Sequence, residues 1–236
     1  MRGPTTGATV HWQVGVVVPA RDEEDRIAAC LDAVAAAVRV AGCPALTCVV
    51  ADRCADATAE RARAAGADVV VNRRPQPIGA VRNIGLRRVG ERLDAPPERI
   101  WLLSTDADSL VPPTWVLDHL RHAAAGADAV AGVVDLDDPD VLLPDVLTRY
   151  TAHVARRVTG PTHGHAYAAN LGVRGDVFER VGGFPGVVCG EEHALLDLVR
   201  RAGMQVASPT DVRARTSART VGRAKGGLAD LLRALA

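Results

Sequence analysis

The sequence predicts an α/β fold built on a Rossmann-like, doubly wound, mainly parallel sheet. Short β-branched runs alternate with helical periodicities at βαβ spacing through the first half of the chain. Polar clusters follow three of those runs, where an open α/β sheet binds its ligands. With 236 residues, 48% hydrophobic and 24% charged, the chain has the balance of an ordinary globular protein and can bury a sizeable core.

Val14-Gly-Val-Val-Val18 is β-branched and predicts a buried strand stopping at Pro19. From Glu24 to Val40 the apolar positions Ile27, Leu31, Val34 and Val38 recur at helical intervals, with Asp22 and Glu23 placed to favour the helix N-terminus. The unit repeats as a strand over Leu46 to Ala51, a helix over Asp56 to Ala65 stopped by Gly66, and a strand at Val69 to Val71. A helix over Ile78 to Val89 and a strand over Ile100 to Thr105 complete the alternating half.

After Asp108 the rhythm loosens. A helix is expected from Thr114 to Ala125, a strand from Ala129 to Val134, and a helix between Pro139 and Val158. The clustered carboxylates and proline of Val133 to Pro139 read as a turn. Thr162 to Gly190 reads as a short strand pair with loops, and Glu191 to Ala202 as a helix. With no repeat and no long linker, residues 1–236 are expected to form one domain, its nucleotide-type half at 14–108 and its second half at 109–236.

The 28 Lys and Arg balance the 28 Asp and Glu, which argues against a protein that neutralises a phosphate backbone. Two Phe, two Tyr and three Trp are too few for base-stacking platforms. Nucleic acid is therefore not an expected partner. Five cysteines without a C-x-x-C pair suit free thiols in a reducing compartment. No apolar run approaches the length of a membrane span and Met1 to Gln13 is polar, so a cytoplasmic location is expected.

The polar clusters carry the chemistry. In an extended Asp106-Ala-Asp108 both carboxylates would point to one side, a pairing that a divalent cation relieves; a solvated turn before Pro112 is the plain alternative. Asp52 follows its strand where a base or ribose would be hydrogen-bonded, while Asp56 reads as a helix cap. Arg82 reads as a phosphate ligand or a surface-helix residue, and Glu191 and Glu192 as dipole-complementing residues or a general base. Arg213, Arg215, Arg219, Arg223 and Lys225 form a dense cationic run before the apolar-periodic Leu228 to Leu235. That run suits a diphosphate clamp, a solvated face or an amphipathic membrane contact.

In type and order these segments resemble glycosyltransferase family 2. Val16-Val-Val-Pro-Ala-Arg-Asp-Glu23 is similar to the family's opening strand and P-A-R-N-E loop, and Val50-Ala-Asp-Arg-Cys-Ala-Asp-Ala-Thr58 to its D-N-C-T-D-x-T segment. Gly79 to Gly85 resembles the G-x-x-x-A-R-N-x-G helix, and Asp106-Ala-Asp108 the D-x-D motif. Ala168 to Arg174 with Val181-Gly-Gly-Phe184 resembles the G-x-N-x-x-x-R and G-G-F segments, and Gly190-Glu-Glu-His193 the G-E-D-x motif. The resemblance runs from about Val14 to Lys225.

It implies a GT-A fold with an acceptor-binding second half and an inverting, metal-dependent transfer of one sugar from a nucleoside diphosphate sugar to an acceptor hydroxyl. Pro19, Arg21, Glu23, Asp52, Arg82 and Asp106 would bind the nucleotide. Asp106 and Asp108 would hold Mn²⁺ or Mg²⁺ on the diphosphate, with Arg219 and Arg223 as phosphate ligands. Glu192, with Glu191 second, would be the catalytic base. Glu192 stands where the family keeps Asp, Ala51 where it has an acidic residue, and Asp22 where it has Asn. No Q-x-x-R-W motif follows, which fits a non-processive enzyme. A degenerate nucleotide-binding module without turnover and a sugar nucleotidyltransferase are the competing expectations, although the latter's Gly-rich phosphate loop is missing.

Overall fold

The computed structural model describes residues 11–222 and 226–236. Strands β1 (Gln13–Ala20), β2 (Ala45–Asp52), β3 (Asp68–Asn72) and β4 (Ile100–Ser104) alternate with helices α1 (Ile27–Ala41), α2 (Thr58–Ala64) and α3 (Ile78–Arg92). Next come β5 (Ser109–Leu110), α4 (Trp115–Ala124), β6 (Ala129–Ala131), β7 (Val133–Asp137) and α5 (Pro144–Ala155). The hairpin β8 (Val158–Thr159) and β9 (Thr162–His163) leads to β10 (Leu171–Arg174), α6 (Gly175–Val181) and α7 (Glu191–Arg201). Strands β11 (Val206–Ala207) and β12 (Arg213–Ser217) precede the final helix α8 (Leu228–Ala234).

The central sheet has the order β11-β6-β10-β4-β1-β2-β3 and is parallel except for β10, which runs against both its neighbours. Side chains alternate across β1, so Val16 and Val18 face the layer of α1 and α4 while Val17 faces that of α3, α6 and α7. Gly85 lets α3 lie directly on β1, since a β-carbon there would sit 2.2 Å from Val17. A second sheet, β5-β12-β7, brings the C-terminal strand beside the segment that follows β4.

Four local expectations are corrected. Helix α1 begins at Ile27, because Asp22 adopts φ 50° and its carboxylate accepts the Ala55 N–H at 2.7 Å, while Glu23 turns into the interior. The expected strand over Ala129 to Val134 breaks at Gly132 and changes sheets, since a β-carbon there would lie 2.2 Å from the Asn170 side chain. Val133 to Asp137 is therefore a strand and not a turn: its carboxylates face the arginines of β12, Arg213 reaching Asp135 at 2.9 Å and Arg215 reaching Asp137 at 3.4 Å. The reading of Thr162 to Gly190 as strands and loops missed helix α6, whose Val177 and Phe178 fill the core. The strands β1, β2, β3 and β4 each lie within two residues of expectation.

All five cysteines are free thiols, Cys30 and Cys48 buried. No described helix is long and apolar enough to cross a membrane. Helix α8 turns its apolar side inward onto Leu142 and Tyr150, so the amphipathicity that suggested a membrane contact is satisfied inside the protein.

Asn170 joins the two sheets. Its amide nitrogen donates to the carbonyls of Val133 at 2.8 Å and Val212 at 3.0 Å, and its oxygen accepts from Trp115 Nε1 at 2.8 Å. His119 Nε2 lies 3.1 Å from that same oxygen and so carries the imidazole proton. Burial holds the His119 pKa down at about 3, against an ordinary value near 6.5. A base whose pKa is depressed by folding stabilises the protein above its unfolded pKa and loses that contribution as pH falls toward the folded value. Denaturant melts should therefore show stability declining from about pH 6.5 downward, by about 3 kcal/mol at pH 4. His119→Gln, which keeps a neutral donor for Asn170, should flatten much of that limb; an unchanged pH profile would count against this assignment.

Candidate active site

A cavity of about 560 Å³ opens along the carboxyl edge of the central sheet, where the loops after β1, β2 and β4 converge with the start of α7 and the segment after β12. Pro19, Arg21, Glu23, Asp52, Arg82, Asp106, Asp108, Glu191, Glu192 and Arg219 all line it, so one space gathers residues separated by 200 positions in the chain. Arg223 lies outside the described residues, as does Lys225.

At one end Asp52 closes β2 and is buried. Its carboxylate accepts from Asn72 at 2.7 Å and, in a two-pronged pair, from Arg53 at 3.2 and 2.9 Å. Arg53 has φ 53°, a left-handed conformation uncommon for a residue other than glycine and concentrated at functional sites. Arg53 and Gln76 also line this end; neither was singled out in the sequence, Arg53 being read only as part of the Val50 to Thr58 segment and Gln76 carrying no motif signal. Arg21 is exposed at the rim.

Asp106 and Asp108 lie in a turn beyond β4, with Ser109 N–H donating to the Asp106 carbonyl at 3.0 Å. An extended Asp-x-Asp with both carboxylates parallel is therefore not what forms. Asp106 accepts from Arg82 at 2.8 Å, and Asp108 pairs with Arg219 at 2.9 Å. Arg219 also holds Glu23 at 2.8 Å, and the Thr216 hydroxyl donates to Asp108 at 3.3 Å. Arg213 and Arg215 point to Asp135 and Asp137 instead, so of the described arginines in the cationic run only Arg219 reaches the cavity.

Arg82 is no surface residue, its side chain being 5% exposed. It donates to Ser104 at 3.0 Å, and its Nε lies 3.6 Å from Glu191. Burial opposes its charge, but Asp106 and Glu191 more than offset this and raise its pKa. Glu191 is buried behind Arg82, and burial raises its pKa against the pull of that guanidinium. Glu192 behaves differently: its side chain is 18% exposed and lies 3.3 Å from His193 Nδ1.

Among the described residues, Asp106 and Glu191 share Arg82, while Asp108 and Glu23 share Arg219. Burial, with Asp106 next to it, pushes Asp108 up to about 6, and the Asp106 side chain stays 35% exposed on the cavity. Carboxylate oxygens gathered this closely are hard donors that fit a divalent cation. The separate group Asp22, Cys54 and Asp56 directs carboxylate oxygens to the N–H groups of Ala55, Glu24 and Thr58 instead.

The sequence model of glycosyl transferase family 2 matches residues 15–182, and the chain belongs to that family. No curated protein matches it. Its fold is the GT-A fold of solved glycosyltransferases. The mannosyltransferase PcManGT from Pyrobaculum calidifontis, solved with GDP-Man and Mn²⁺, is 20% identical over 89% of this chain and 57% of its own, with a TM-score of 0.60. S. aureus TarS 1-349 with UDP-GlcNAc is 13% identical over 94% and 65%, with a TM-score of 0.64. Glucosyl-3-phosphoglycerate synthase from Mycobacterium tuberculosis, with Mn²⁺ and UDP-glucose, is 19% identical over 94% and 76%, with a TM-score of 0.56. The chain spans less than two thirds of the length of the first two.

Removing one member of a buried charged network leaves the others unpaired, at a cost of about 3–5 kcal/mol. Arg82→Met should therefore lower stability by about that amount in denaturant titrations, whereas a surface arginine would change it by less than about 0.5 kcal/mol.

Proposed function

We propose that the protein transfers one sugar from a nucleoside diphosphate sugar to an acceptor hydroxyl, inverting the anomeric carbon, with a divalent metal and without processivity. The observation that carries this reading is the paired carboxylates of Asp106 and Asp108 sharing one cavity with the partly exposed carboxylate of Glu192. Two of the structural relatives hold Mn²⁺ with a nucleotide sugar, which supports the same assignment. Residues 14–108 then form the donor half and 109–236 the acceptor half of one catalytic unit.

Base and ribose lie at the Pro19, Asp52 and Arg53 end, with Arg21 and Glu23 beside them. Asp106 and Asp108 hold Mn²⁺ or Mg²⁺. When bound, the metal offsets charge on the diphosphate as it leaves. Arg219 leans on Glu23 and Asp108 and is placed to turn to the phosphates once that charge is shared, while Arg82 fixes Asp106 from behind. Glu192 accepts the proton of the attacking hydroxyl as its oxygen bonds to the anomeric carbon and the bond to the diphosphate breaks. Glu191, buried against Arg82, positions the start of α7 and takes no proton.

A thermal-shift screen against UDP, GDP, dTDP and CDP with Mn²⁺, Mg²⁺ or chelator tests the donor site, because a ligand that binds only the folded state raises its stability. One nucleotide should raise Tm by several degrees with metal, and the shift should vanish with chelator and in Asp108→Ala; no shift with any pairing would overturn the reading. Glu192→Gln should keep that shift but lower donor turnover at least about 100-fold, the usual size of a lost general base. Unaltered turnover in Glu192→Gln would remove Glu192 from the mechanism, and no turnover in any form would leave a binding module.

A further inference from the structure

Tyr167 is the aromatic residue among those lining the cavity, in a chain with two Tyr, two Phe and three Trp. It lies just before β10. Because β10 runs against β4, with Leu171 paired to Ser104, the segment leading into it reaches the same sheet edge as Asp106 and Asp52. The order β10-β4-β1-β2 puts three strand spacings, roughly 14 Å, between β10 and the strand that ends at Asp52. A nucleoside diphosphate anchored at Asp52 and crossing Asp106 would end on the side where Tyr167 stands.

The ring is held rigidly. Tyr167 stacks on His165 with centroids 5.5 Å apart and planes at 21°, and His165 stacks on His163 at 5.8 Å and 29°. His163 Nε2 donates to the Ala131 carbonyl at 3.0 Å while its Nδ1 accepts the His165 N–H at 3.1 Å, and His165 Nε2 donates to the Val154 carbonyl at 2.9 Å. Backbone from β6 and α5 thereby fixes both imidazoles. Tyr167 and the acidic pair Glu191 and Glu192 line the same cavity. Ala166, Ala168 and Ala169, neighbours of Tyr167 in the chain, line the cavity with it.

We propose that Tyr167 is the specificity-determining platform for the acceptor: a saccharide lays the C–H face of a pyranose ring on Tyr167 and thereby presents its hydroxyl to Glu192. The electron-rich face of an aromatic ring attracts the positive edges of C–H bonds, and a platform backed by two fixed imidazoles loses no side-chain freedom on binding. The proposal rests on the transferase reading above and identifies the acceptor as a carbohydrate.

Saturation-transfer NMR on the full chain with Mg²⁺ and UDP or GDP tests it, using methyl α-D-glucopyranoside, methyl α-D-mannopyranoside and octyl β-D-glucopyranoside below its micelle concentration. Saturation should reach the ring C–H protons of at least one methyl glycoside in the wild type and in Tyr167→Phe. It should fall at least tenfold in Tyr167→Leu, with the thermal shift by nucleotide retained. Equal signals in Tyr167→Leu, transfer confined to the octyl chain, or no transfer to any ring would each overturn the proposal, the last even if Tyr167→Leu fails to fold. A nucleotide shift without sugar contact would count against Tyr167 alone, whereas loss of the nucleotide shift in the wild type would count against the transferase reading.

Discussion

The arrangement of both sheets depends on one buried amide. Asn170 offers two N–H donors and one carbonyl oxygen, and every one is engaged: the donors by carbonyls at the edge of the second sheet, the oxygen by two side chains of α4. Few side chains other than asparagine carry that donor and acceptor set in so small a volume. Gly132 is cut back to admit it, and the Gly132 N–H in turn donates to the Asn170 carbonyl at 2.8 Å. Through this contact the edge of the central sheet, the β5-β12-β7 sheet and α4 are fixed relative to one another. Those are the elements that bring Asp108, Thr216 and Arg219 together.

The charge pattern of the cavity follows a similar logic. The arginines that hold its acidic residues come from different parts of the chain: Arg82 on α3 reaches Asp106 and Glu191, Arg219 after β12 reaches Asp108 and Glu23, and Arg53 reaches its neighbour Asp52. Buried ion pairs stabilise only when both partners are present and well placed. The cluster is therefore held together while its carboxylate oxygens still face the cavity. The depth of Glu191 and the accessibility of Glu192 come from a single helical register, since consecutive residues on a helix point about 100° apart.

Legibility in the sequence tracked how local the cause was. The strands of the first half announced themselves because a buried parallel strand is a run of β-branched residues whatever surrounds it. The βαβ rhythm then located the carboxyl edge, and with it Asp52, Asp106 and Asp108. What was hidden depended on distant partners. Asp135 and Asp137 look like turn residues until Arg213 and Arg215 arrive from β12. Asp22 and Glu23 look like helix-dipole residues until the Asp22 carboxylate accepts the Ala55 N–H and the Thr58 hydroxyl accepts the Glu23 N–H at 2.8 Å, drawing that loop inward. Arg82 looked like surface because it is an arginine on a helix face whose other buried residues, Gly79, Val81, Gly85, Leu86 and Val89, give no sign of the distant carboxylates that pair with it. The Tyr167 stack carried no signal at all, since its meaning lies in parallel rings and not in spacing along the chain.

The tie between β5 and β12 has a consequence for how the chain reaches this state. Ser109 Oγ donates to Thr216 at 2.9 Å across 107 residues, and Ser217 N–H donates to the Asp108 carbonyl at 3.2 Å. Contacts of such large sequence separation are the slowest to form, because the intervening chain must be ordered before they stabilise anything. During synthesis the parallel core of the first half can condense while Asp108 still lacks its partners. The cavity is then a late product of folding: the acidic turn is made early, and the segment that balances it arrives last.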